Sequence, residues 1–170
     1  MYRHKLYLDT NILVAYYYKN DKRRNRILKF LKEVVKIKNV DLVLSDYTLT
    51  EFSKVFADIQ SIKETEVWKV TSNLTHIKKI GREYPFEFLN VEGKLKSYDF
   101  TTFFVDVREV IMNCIKKPRI HLADAIHCAI MINNKTKYIV TTNKKDFGGV
   151  EKVTPFEPEE AVTFFKKKQK

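Results

Sequence analysis

The chain of 170 residues is poor in glycine and proline, four of each, and has only two cysteines. So little Gly and Pro excludes collagen-like and low-complexity architectures. Gly81, Gly93, Gly148 and Gly149 fit neither a GxGxxG turn nor a P-loop, which excludes a glycine-rich backbone cradle for phosphate. Cys114 and Cys128 stand in apolar surroundings without CxxC spacing and read as reduced core thiols of a cytoplasmic protein. Long apolar runs are missing too. The longest stretch free of Asp, Glu, Lys and Arg runs for ten residues, Ala125 to Asn134, against the roughly 20 needed to cross a bilayer. Met1 to Leu6 carries no secretory pattern, so no membrane partner is expected. Negative charge is the last shortage. Against 32 Lys and Arg stand 21 acids, a net charge of +11, and a polyanion, nucleic acid first, is the expected partner.

Hydrophobic residues make up 44% of the chain, enough for the core of one domain of ordinary size. A short strand is expected over 5–9, followed by a helix carrying Ile12, Leu13, Ala15 and Tyr16 and capped by Thr10 or Asn11. Helical spacing marks 23–37 through Ile27, Leu28, Leu31, Val34 and Val35, and 48–59 through Leu49, Phe52, Val55, Phe56 and Ile59. Between them, Leu42-Val43-Leu44 has strand length. Further helices are expected over 64–80, 100–115 and 119–133, a loop or short strand over 84–93, and strands over 138–142 and 150–154. A helix from Pro158 to Phe165 closes the domain at residue 165, and 166–170 form a basic tail. Strands alternating with helices imply an α/β domain with a mostly parallel sheet. Ligands of such sheets bind beyond the carboxyl ends of the strands, which places Asp9, Asn143 and Asp146 on one rim.

In a chain this basic, the placement of single acids is informative. Asp124 lies in Ile120-His121-Leu122-Ala123-Asp124-Ala125-Ile126-His127-Cys128, apolar nearly all round, so its carboxylate should be partly desolvated and in need of compensation. Glu51 sits beside Phe52 on a core face, although Thr48-Leu49-Thr50-Glu51 also fits a capping box. Asp9 fits a helix N-cap and Asp146 a turn. Together, four carboxylates meeting at one rim would raise one another's pKa unless cations intervened. Hard ions such as Mg²⁺ or Mn²⁺ meet that need. His121 and His127 flank Asp124 and are expected as packed or hydrogen-bonded histidines rather than ligands.

Leu8-Asp9-Thr10-Asn11, Leu49-Thr50-Glu51-Phe52, Ala123-Asp124-Ala125-Ile126 and Val140-Thr141-Thr142-Asn143-Lys144-Lys145-Asp146-Phe147 occur in the order and spacing of the PIN-domain nucleases, which the chain resembles from Leu6 to about Phe156. The resemblance implies a three-layer α/β/α sandwich with a parallel sheet of four or five strands. It implies cleavage of single-stranded RNA with Mg²⁺ or Mn²⁺, acidic ligands at Asp9, Glu51, Asp124 and Asp146, and polar support from Asn11, Thr141 and Asn143. It is strongest to VapC-like toxins, which implies a homodimer and a small antitoxin partner. The stretch between Glu51 and Asp124 is long for such a toxin, and residues 62–99 are expected as a helical insertion or arm. Arg23, Arg24, Arg26, Lys144 and Lys145 are the expected RNA contacts, with a solvated surface face as the alternative. Two other readings stand beside the toxin: an RNA-processing nuclease without an antitoxin, and a non-catalytic RNA-binding or assembly module. A phosphatase of the haloacid-dehalogenase type is disfavoured, because Asn11 stands where its second acid belongs.

Overall fold

A computed structural model describes residues 3–59, 86–89, 111–112 and 120–169. Its centre is a five-stranded sheet in the order β3-β2-β1-β4-β5, every neighbouring pair parallel. The strands are β1 (His4–Leu8), β2 (Val40–Ser45), β3 (Phe86–Leu89), β4 (Tyr138–Val140) and β5 (Thr154–Phe156). Helices α1 (Thr10–Tyr17), α2 (Arg24–Val34), α3 (Asp46–Ile59), α4 (Leu122–Asn133) and α5 (Pro158–Lys167) connect or follow them, and a 3₁₀ turn spans Lys144–Phe147. The expected helix over 64–80, and all of 100–115 except the helical residues 111–112, lie outside the described residues. Residues 86–89, inside the expected 62–99 arm, pair with β2 as the edge strand of the sheet. The rest of that arm lies outside the described residues.

The layering follows from alternation along the strands. Leu6 and Leu8 of β1, Leu42 and Leu44 of β2, and Val140 of β4 face one core with Ile12, Ile27, Phe30, Leu31, Ala161 and Phe165 of α1, α2 and α5. Tyr7, Val43 and Ile139 face a second core with Ala125, Cys128, Ile130 and Met131 of α4. A strand buried on both faces must be apolar in consecutive positions, which is why these strands read as continuous hydrophobic runs. The result is the three-layer α/β/α sandwich.

Some boundaries differ from the sequence expectation for identifiable reasons. Helix α3 begins at Asp46, because the Ser45 hydroxyl accepts the Thr48 backbone N–H at 3.1 Å and caps it two residues early. The N-cap position of α1 is Asp9, not Thr10 or Asn11. The last strand is 154–156 instead of 150–154: Val150 and Val153 are spent in a turn, with Lys152 at a φ of +72°. Pro155 is tolerated there because β5 is an edge strand.

Strand order reverses beside β1: the chain runs outward through β2 and β3, then returns to β4 on the other side. The backbone N–H of Asp9 continues the β1–β4 ladder to Val140 O at 3.1 Å. That carboxyl-end crevice is where such sheets bind ligands.

Phe165, fully buried, joins α5 to the sheet core. Phe165→Ala is expected to lower the unfolding free energy by about 3–5 kcal/mol, to be read from urea denaturation.

Candidate active site

Asp9 stands one residue past β1 and is buried, at 6% exposure. Its carboxylate does not cap α1. Oδ2 instead accepts the Thr141 hydroxyl at 2.6 Å and the Asn11 amide at 2.5 Å. The Asn11 amide also reaches Thr141 Oγ1 at 2.9 Å, and its Oδ1 accepts the Thr142 N–H at 3.1 Å. Asn143 donates its backbone N–H to Thr141 Oγ1 at 2.9 Å, and its side-chain amide donates to Asp146 Oδ2. Thus the polar residues after β4 splice the two strand ends around a single carboxylate. Desolvation drives the Asp9 pKa up, while charge on His127 and the Thr141 bond oppose it.

Glu51 reaches the crevice from α3. The early start of that helix places Thr48 inside it, so the capping-box role for Glu51 does not arise. Its Oε2 accepts the Thr10 hydroxyl and the ring N–H of His127, the latter at 2.9 Å. Burial raises the Glu51 pKa, but the hydrogen bonds from His127 and Thr10 outweigh it and the net shift is downward.

Asp124 is in the first turn of α4. Its carboxyl is pushed up to about 6, first by desolvation and then by the negative charges of Asp9 and Asp146, with Glu51 adding and His127 opposing. Asp124 therefore feels all three of the other expected acids at once. His127, one turn further along α4, is buried and bonded at both ring nitrogens, as expected for a hydrogen-bonded histidine. It also joins the site more intimately than its position suggested: carboxylate oxygens of Asp9 and Glu51 and a ring nitrogen of His127 lie within 4.8 Å of one another. The exposed His121 takes the N-cap position of α4.

The expected RNA contacts fall in different places. Arg23 lies at the rim: Asp21 grips its guanidinium, Nη1 donates to Thr142 Oγ1 at 3.0 Å, and it feels the charge of Asp9. Arg24 donates to Tyr16 O at 3.2 Å. Arg26 is engaged by Glu157 and Glu159 where α2 meets α5. Lys144 pairs with Glu160 at 2.8 Å, while Lys145 is exposed.

The donor set fits a hard divalent cation. Carboxylate oxygens of Asp9 and Glu51 come close together in a partly dehydrated crevice, and Asp124, raised first by desolvation and then by the charges of Asp9, Asp146 and Glu51, would also be relieved by a cation. Thr10, Tyr7 and His127 were not expected in this site. In the sequence, Tyr7 looks like any strand aromatic and His127 like a core residue; only the spacing of three between Asp124 and His127, which puts both on one helix face, hinted at a shared role.

The fold and the crevice define a class that comparison confirms. The PIN domain family model matches residues 6–153, and the chain belongs to that family. Among solved structures it is similar to VapBC2 from Rickettsia felis bound to a DNA fragment from the promoter, with a TM-score of 0.54 and 17% identity over 90% of this chain and 98% of that one. It is also similar to FitAcB from Neisseria gonorrhoeae, with a TM-score of 0.54 and 17% identity over 91% and 98%. No curated protein matches the chain.

Because the folded state holds the Asp124 proton up to about pH 6, against 3.8 for a free carboxyl, this group's contribution to stability is lost as pH rises through that window. Asp124→Asn is expected to raise the melting temperature of the metal-free protein near neutral pH. About 2–4 °C is expected for roughly 1 kcal/mol, discounted for a half-exposed group. Melting curves across pH should show the gain vanish by about pH 4.

Proposed function

We propose that this PIN domain is a metal-dependent endoribonuclease that hydrolyses phosphodiester bonds of single-stranded RNA. The observation that carries the reading is the approach of the Asp9 and Glu51 carboxylates at the switch point of a parallel sheet, with Asp124 close enough to feel the charges of Asp9, Asp146 and Glu51, in a chain of net charge +11. Asp9 and Asp124 would hold Mg²⁺ or Mn²⁺, with Glu51 and Asp146 completing or orienting the set. Held there, the ion supplies Lewis-acid chemistry to a phosphate and makes water a stronger acid.

The remaining steps belong to the chain. Thr141 and Asn11 fix the Asp9 carboxylate so that binding costs little reordering. Asn143 does the same for Asp146. Glu51 or Asp146, outside the pair that would hold the ion, would take the proton from water. Arg23, held in place by Asp21 at the rim, offers a preset fork for an RNA phosphate.

Both solved relatives support a finer reading, the toxin of a toxin–antitoxin pair with a small antitoxin as partner. Growth arrest on expression, relieved by the product of a short adjacent gene, is its test. No helix among the described residues is long and apolar enough to cross a membrane.

Incubating the purified protein with a mixed single-stranded RNA pool should give fragments with Mg²⁺ or Mn²⁺ and none with EDTA. Asp9→Asn should reduce the rate by about 10²–10³-fold, the scale of losing one electrostatic stabiliser. Equal cleavage by wild type and Asp9→Asn would overturn the mechanism. No metal-dependent cleavage of any RNA would favour the non-catalytic module. For Arg23→Gln, RNA affinity measured against salt should show a slope shallower by about 1.

A further inference from the structure

A chain of buried hydrogen bonds runs behind the acids. The Tyr7 hydroxyl lies 2.5 Å from Ser45 Oγ, 2.8 Å from Thr48 Oγ1 and 2.8 Å from His127 Nδ1. On the far side of the imidazole, Nε2 meets Glu51 Oε2 at 2.9 Å, and the Thr10 hydroxyl donates to the same oxygen. Tyr7, Ser45, Thr48 and His127 are all buried. Buried polar groups must be satisfied, so the directions of these bonds are constrained.

An ionised carboxylate only accepts. Nε2 of His127 must therefore carry a hydrogen to bond Glu51. If the ring is neutral, Nδ1 accepts from Tyr7, whose oxygen in turn accepts from Ser45 and Thr48. If the ring is charged, Nδ1 donates to Tyr7 instead. In both cases Nε2 is a donor and has no lone pair for a metal, although it stands within 4.8 Å of oxygens of Asp9 and Glu51.

We propose that His127 is a positioning residue, backed by Tyr7, that fixes the Glu51 carboxylate for a divalent cation and is not itself a ligand of that cation. The proposal rests on the metal-binding reading of the site. Both known bonds fall on Oε2, so it assigns cation binding to Oε1. Outer partners of this kind typically set metal affinity by about 10–100-fold.

The test is Mn²⁺ binding by the full chain, followed by the free-ion electron paramagnetic resonance signal, with pulsed detection of coordinated ¹⁴N. Wild type should bind Mn²⁺ with no directly coordinated nitrogen. His127→Ala should weaken binding by about 10–100-fold, and His127→Gln, whose amide can donate to the same oxygen, should recover much of it. Tyr7→Phe should weaken binding in the same direction, and it carries the test if His127→Ala does not fold. A coordinated imidazole nitrogen in wild type overturns the proposal. So does wild-type affinity in His127→Ala or Tyr7→Phe, or a loss in His127→Gln as large as that in His127→Ala. Failure of wild type to bind Mn²⁺ overturns the metal-binding reading as well, whereas normal wild-type binding with any of the other failures overturns the positioning role alone.

Discussion

An acid that is almost wholly dehydrated governs this structure. Asp9 tolerates its place only because Thr141 and Asn11 donate to it and β4 lies alongside β1. Removing water from an unpaired charge costs several kcal/mol, and these donors offset part of that cost. Their geometry in turn fixes the register of β1 against β4 and the path of the chain after Val140. The same bonds that make the acid tolerable therefore build the crevice around it. What they leave unsatisfied is a concentration of negative charge suited to a cation.

The second anchor is polar and lies across the sheet from the α1–α2–α5 core. Tyr7 points into the layer of α4, where its hydroxyl ties Ser45 and Thr48 at the start of α3 to His127 on α4. Three elements distant in sequence thereby share one satisfied network. Such networks rigidify when complete and destabilise when one partner is lost. Charges away from the crevice are handled differently. Arg26, Lys144 and Lys166 pair with acids on or beside α2 and α5 that water reaches, where such pairs contribute little.

Much of this was legible in the residues. Short apolar runs at β1, β2 and β4 and helical spacing in α2 and α3 made the alternating strands and helices legible, because strands buried on both faces are apolar in consecutive positions and amphipathic helices leave a periodic trace. Asp9 drew attention by its strand end and Asp124 by its apolar helix, and the structure sets Asp9 close to Glu51 and His127. Long-range hydrogen bonding was not. Nothing local distinguishes Thr10 or Tyr7 from ordinary residues of their elements, and their roles come from Glu51 and His127, placed by the sheet. The same holds for Arg26, whose neighbours Arg23 and Arg24 look alike in sequence but face different surroundings. Helix α3 began early because Ser45 competed successfully with Thr48 for the cap, a contest that composition does not decide.

The supports of Asp9 come from a strand that lies far along the chain. As the polypeptide leaves the ribosome N-terminus first, β1, α1 and α3 emerge before α4, and β4 with Thr141 and Asp146 emerge later still. Until then Asp9 has no Thr141 to bond and the crevice has no second wall. A nascent or truncated chain thus carries the first acids without the geometry that makes them useful, and the site matures only as synthesis nears its last strands. The strand order 3-2-1-4-5 thus leaves the crevice complete only once β4 has joined β1.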